Sequence, residues 1–136
     1  MIWLLKTEPS VYSYADLERD GQTMWDGVTQ PHALQNLRKI RSGDTALIYH
    51  TGDERAWVGI AKVTRGYYIN PEGNDPKLAV CDVKAKHKLS KPVTLREFKA
   101  CEELKGWDLV RLARLSVVPV NDAQWQVLCK LAEIKT

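Results

Sequence analysis

The sequence predicts an α+β domain built on a small curved sheet or partial barrel, five to six strands with short helices between them. Three observations carry that expectation. Apolar runs of strand length alternate irregularly with short amphipathic segments; capping pairs at Ser13/Asp16 and Thr94/Glu97 mark helix starts; and tight turn signals, rather than linkers, separate the elements. The 136 residues suffice for one core and contain no repeat or low-complexity run, so a single domain over residues 1–136 is expected.

Each element follows from local chemistry. IWLLK (residues 2–6) reads as a buried strand that Pro9 stops, because proline offers no donor to the ladder. SYADLERD (13–20) is a capped helix ended by Gly21, and TMW (23–25) is a short strand before the Asp26-Gly27 turn. PHALQNLRKI (31–40) is a second helix, with Pro31 in its first turn and Ala33, Leu34, Leu37 and Ile40 on one face. TALIYH (45–50) and AWVGIAKVTRGYYI (56–69) form a hairpin, with a bulge expected near Gly59 or Gly66. NPEGNDP (70–76) is a turn-rich loop, expected to be exposed and mobile. KLAVCDVKAKHKL (77–89) alternates as a half-buried strand, and Thr94 with Glu97 starts a short helix. ARLSVVPV (113–120) is a last strand that Pro119 should end, before a helix capped by Asn121 with Trp125, Leu128, Cys129 and Ala132 on one face.

Composition excludes several classes. Hydrophobic residues at 44% and charged residues at 27% exclude a disordered chain. A net charge of +3 permits a polyanionic partner without demanding one. MIWLLK is too short for a signal-peptide core or a membrane span, so a cytoplasmic protein without a membrane partner is expected. Cys81, Cys101 and Cys129 have no C-x-x-C spacing, and His32, His50 and His87 are scattered, so reduced thiols and no metal site are expected. No phosphate-cradling glycine loop or nucleophile elbow is present, so no cofactor and no catalytic residue is assigned. One trio invites a catalytic reading, Lys6-Thr7-Glu8, but on a strand Lys6 and Glu8 share a face while Thr7 points away.

Aromatic residues are more informative. Five tryptophans and five tyrosines stand against one phenylalanine, so nearly every ring has a polar handle suited to half-wet positions. Trp3 and Trp125 read as core; Trp57 is core or rim, and Trp107 has no clear place. Trp25 lies where a strand meets a turn. Its ring can either pack into the core or stay partly open beside the backbone of Asp26, Gly27 and Val28.

Several stretches together resemble the EVE domain family: WLLKTEPS with YS and DL (3–17), WDGV (25–28), GD with LIYHTGDER (43–55), VGIAKV (58–63), KPVTL (91–95) and RLSV with PV (114–120). They keep the family's order over nearly the whole chain, and YHTGDER is similar to a bacterial subgroup familiar from cyanobacteria. The resemblance implies a PUA-like fold, a curved barrel-like sheet with flanking helices, related to YTH and ASCH domains. It implies a non-catalytic reader of a modified nucleobase, in DNA, RNA or a free nucleoside, with modified cytosine the commonest proposal for DNA. Its partner would be nucleic acid or a nucleotide carrying that base, and a monomer is expected. Trp25 matches the tryptophan on which a flipped base stacks, with Asp26, Gly27 and Val28 beside it. Lys6, Tyr49, His50, Arg114 and Ser116 fall in matching motifs and could contact a base edge or a phosphate. Each also has a structural reading: Tyr49 as a core ring with its hydroxyl satisfied, Arg114 as an ion-pair partner of Glu8 or Asp26. Two further readings are a hydrolase of a modified nucleoside, ASCH-like, using Lys6 with Thr7 or Glu8, and a protein-interaction domain with a vestigial pocket.

The chain departs from the family after WDGV. Many members carry a basic R-N-Y-x-A-R-N type segment there; here Thr29–Asn36 reads TQPHALQN, with only Ala33 well matched and Gln30 and Gln35 as weaker substitutes. Two arginines and a tyrosine are thereby absent, and each lost phosphate contact should flatten the salt dependence of binding by about one unit of slope.

Overall fold

The strand that positions everything else is β1 (Ile2–Thr7), whose Trp3, Leu4 and Leu5 are buried on both faces. A computed structural model describes residues 1–73 and 75–134. It pairs β1 in parallel with β3 (Thr45–His50) and antiparallel with β6 (Val117–Val120). A parallel pair needs a long crossover. It is made here by α1 (Tyr14–Asp20), β2 (Gln22–Trp25) and α2 (Pro31–Leu37). β4 (Ala56–Ile69) and β5 (Ala79–Thr94) complete a mixed sheet of six strands among the described residues, in the order β2-β5-β4-β3-β1-β6. α3 (Leu95–Ala100), α4 (Asp108–Arg111) and α5 (Asp122–Ala132) pack around it. This is the α+β, PUA-like architecture. The six strands fall within the expected five to six, and the sheet stays open, with β2 and β6 as its edges.

Local signals explain most boundaries. Ser13 with Asp16, Thr94 with Glu97 and Asn121 with Gln124 form reciprocal capping boxes at α1, α3 and α5. The β3–β4 and β4–β5 registers shift at Trp57/Gly59, and β4–β5 shifts again at Arg65/Tyr68, which places the bulges at both expected glycines. Gly59 has a further role. A Cβ there would lie 2.3 Å from Cε1 of Tyr14, whose hydroxyl donates to the Ile60 carbonyl at 2.7 Å, so α1 is seated directly on the β4 backbone. α2 is capped by the Gln30 side chain, which accepts from the Ala33 amide at 2.7 Å, and buried Asn36 donates to the Val117 carbonyl at 2.8 Å. The segment that departs from the family pattern has thus become a helix start and an anchor.

Four expectations are corrected. α2 ends at Leu37, not Ile40, although Ile40 is buried in the following turn. Pro119 lies inside β6 rather than ending it, paired with Trp3 on an edge strand where a missing N–H is tolerated. The strand begins only at Val117, so Ala113–Ser116 form a turn and neither Arg114 nor Ser116 lies on a strand. β5 also runs further than the alternation suggested, to Thr94; Leu89–Pro92 have no partner on β4, so Pro92 removes no ladder bond there. Trp57 and Trp107 are fully buried, Trp107 edge-on to Phe98 with centroids 5.4 Å apart. Trp125 is half-buried against Trp57. The 70–76 loop is exposed or half-exposed at its described positions; residue 74 is outside them. Among the described residues no helix is long and apolar enough to cross a membrane.

Candidate functional site

Trp25 is the last residue of β2, paired with Cys81 of β5, and the chain leaves the sheet through Gly27 at φ +81°. That left-handed angle is what the Asp-Gly turn requires. Trp25 is 6% exposed. Tyr12 meets it edge-on, with centroids 6.4 Å apart and planes at 86°. The remaining open part of the ring forms one wall of a cavity of about 370 Å³, which Thr7, Val11, Tyr12, Thr23, Met24 and Asp26 complete. Its size is within the range of small-molecule sites, about 300–1,000 Å³.

The indole nitrogens separate this ring from the packed ones. Trp3 donates to the Asp44 carboxylate at 3.0 Å, Trp57 to the Gly59 carbonyl at 2.9 Å and Trp107 to the Pro119 carbonyl at 3.0 Å. Among the described residues the Trp25 N–H has no acceptor. Among the described residues no fully buried side-chain nitrogen or oxygen lacks a partner, so this donor is not sealed from solvent. Trp25 is therefore core by most of its area and pocket wall by its remaining edge.

The loop between β1 and α1 supplies the opposite wall. Val11 and Tyr12 amides both donate to the Glu8 carbonyl at 2.9 Å, Thr7 Oγ1 donates to the Tyr12 carbonyl at 2.6 Å, and the Tyr12 hydroxyl donates to Asp20 at 2.9 Å. These bonds fix Tyr12 against Trp25 and leave Val11 79% exposed at the mouth. Among the described residues Asp26 is the one charged group lining the cavity.

The other residues of the matching motifs lie elsewhere. Side chains alternate along β1, so Lys6 and Thr7 face opposite ways. Lys6, paired with Tyr49 on β3, lines a different cavity. Its Nζ donates to the Ala113 carbonyl at 2.9 Å and lies 5.8 Å from the Tyr49 ring centroid, and burial lowers its pKa. Tyr49 is 3% exposed, and burial raises its pKa. His50 points to the α1 side. Its Nε2 accepts from the Tyr14 amide at 3.0 Å, which leaves the ring proton on Nδ1, 2.8 Å from Glu54. Val28 is buried beside the turn and does not line the Trp25 cavity. Ser116 offers its carbonyl to the Lys6 amide at 3.0 Å. Arg114 is exposed, and among the described residues the ion pair with Glu8 or Asp26 is not formed. The Lys6-Thr7-Glu8 trio is not assembled, since β1 runs unbroken through Thr7.

Sequence reading missed Val11, Tyr12, Thr23 and Met24, and named Thr7 only in the catalytic trio, not as a wall of this cavity. For Tyr12 and Thr7 a signal existed: a polar-handled ring shortly after the strand stop, and alternation placing Thr7 out of phase with Lys6.

A model of the EVE domain matches residues 1–131. The chain belongs to the EVE domain family. A solved structure from Rhodopseudomonas palustris is 36% identical to this EVE domain, with a TM-score of 0.90 over 97% of this chain and 92% of the other. Human THYN1, solved in complex with 5-methylcytosine-containing DNA, is 25% identical with a TM-score of 0.88, covering 99% of each chain. Thymocyte nuclear protein 1 of Rattus norvegicus is 27% identical over 96% of this EVE domain and 73% of its own length.

Proposed function

We propose that this EVE domain is a non-catalytic reader that takes a modified nucleobase, best matched by a 5-substituted cytosine, into the cavity beside Trp25. The carrying observation is the Trp25 indole, which lines the cavity and, unlike the packed Trp3, Trp57 and Trp107, leaves its N–H open. The human relative solved with 5-methylcytosine-containing DNA supports the same ligand class. Asp26 supplies the edge chemistry, because a carboxylate accepts from the exocyclic amine of cytosine. Val11 and Met24 offer apolar contact to a methyl group, worth about 1 kcal/mol or roughly fivefold in affinity. Extrusion of the base from a strand costs a few kcal/mol, which stacking at about 1–3 kcal/mol per base offsets.

The test is calorimetric titration with cytidine and 5-methylcytidine, and with short DNA and RNA strands carrying each base, at two salt concentrations. The expected result is a preference of about fivefold for the methylated base. Trp25→Ala should abolish it while far-UV circular dichroism shows the fold intact. Equal binding of plain and methylated bases, or unchanged binding by the variant, overturns the reading.

A further inference from the structure

The second cavity, about 290 Å³, opens on the other face of β1 from Trp25, between the ends of β1 and β3, the turn after β3, α3 and α4. Among the described residues three cations line it, Lys6, Arg55 and Lys99, and no carboxylate does. Among the described residues none of the three lies within 4.0 Å of a carboxylate oxygen. Glu8, beside Gly52 at the rim, is already engaged, accepting from the Ser10 amide at 3.2 Å and hydroxyl at 3.0 Å, and Asp53 and Glu54 line the neighbouring cavity. Like charges gathered around one concavity repel each other, and Lys6, the half-buried one beside the exposed Arg55 and Lys99, would normally have a counter-charge.

Two of the cations, Lys6 and Arg55, are also held in place. Lys6 is tethered to the Ala113 carbonyl at 2.9 Å. Arg55 adopts a left-handed φ of +45°, stabilised by its Nε donating to the Gly52 carbonyl at 3.1 Å and by its own carbonyl accepting from the Leu95 amide at 2.8 Å. That leaves the outer nitrogens of the guanidinium available. A non-glycine residue held at positive φ is a strain seen often at ligand sites. The Tyr49 hydroxyl has no hydrogen-bond partner among the described residues and is not sealed from solvent. Leu95, Leu109 and Val110 supply an apolar wall.

We propose that this cavity is a second binding site, for a phosphate monoester such as the 5′-phosphate of a free nucleotide. Lys6, Arg55 and Lys99 hold the phosphate, the Tyr49 hydroxyl donates to it, and the apolar wall takes part of the ligand's body. Its position across β1 makes it independent of the base cavity, so it stands whether or not Trp25 receives a base.

The experiment is a titration of the intact protein followed by backbone amide NMR, with inorganic phosphate, cytidine, cytidine 5′-monophosphate and a short oligonucleotide without terminal phosphate. Phosphate and the monophosphate should shift amides at Thr51–Arg55 and Ala113–Arg114 and compete with each other, whereas cytidine should leave these amides unmoved. Lys99→Ala and Arg55→Ala should each weaken the monophosphate at least tenfold, and Lys6→Met should remove measurable binding at these amides. Trp25→Phe should leave them responding as before. Retention of binding by all three cation variants, or no response to either phosphate, overturns the proposal. Response to the oligonucleotide alone overturns it too, and makes the three cations contacts for a strand backbone.

Discussion

The two cavities on either side of β1 differ in every chemical respect, though adjacent residues, Thr7 and Lys6, line them. Among the described residues the Trp25 side is an aromatic box with one carboxylate and no cation, and the Lys6 side carries three cations and no carboxylate. The motif KTE therefore encodes two environments and not one. The alternation of a strand divides polar chemistry between its faces without any intervening structure. A flat, weakly polar ligand has what it needs on the first face, and an anionic group on the second.

The comparison breaks most visibly at Trp25. Trp25→Ala should weaken binding of the preferred nucleoside by about 1–3 kcal/mol, the value of a stacked base. Trp25→Phe should keep the stack and lose only the open N–H, for about 1 kcal/mol, roughly fivefold. Calorimetry on both variants separates ring from donor, and equal losses would mean that stacking contributes nothing.

His50 sharpens the division in a different way. His50→Ala leaves the Tyr14 amide without its acceptor, which should cost about 1–3 kcal/mol of folding stability in urea denaturation. Nucleoside affinity should stay within about twofold, the scatter expected for a side chain outside the pocket. A large loss of affinity with little loss of stability would return His50 to the binding site.

The smallest effect concerns Lys6. Burial lowers its pKa from 10.5, so the folded state disfavours the charged amine. The unfolded chain then binds more protons than the folded one between the folded pKa and 10.5, and this handicap is full at neutral pH and vanishes above that window. Lys6→Met removes it, so its stability relative to wild type should decline as pH rises from 7 towards 10.5. Denaturant melts across that range would show it; a flat difference would mean that the amine is already fully solvated.

What the sequence revealed was what local chemistry decides. The boxes at Ser13 and Thr94 involve residues three apart and formed as read, and the expected Asn121 cap formed as a box with Gln124. The bulges near Gly59 and Gly66 were legible because glycine marks them. The strand role of Pro119 was not, since it depends on β6 being an edge, a property of the whole sheet. Trp107 was likewise opaque: its place is set by Phe98 and the Pro119 carbonyl, distant contacts in sequence terms that periodicity does not register. The candidate site was half visible. Trp25 and its turn stood out, while Tyr12 and Val11 became its neighbours only because the Glu8 carbonyl and Thr7 fold their loop back.

β2 has four residues and one neighbouring strand, β5, while β1 is bonded on both sides. Local opening costs least where a short segment has one partner. Amide protons of Gln22–Trp25 should accordingly exchange with solvent long before those of β1, and an occupant stacked on Trp25 should slow them selectively. The domain can then register occupancy as a stiffening of its margin, with its shape unchanged and its centre unaware.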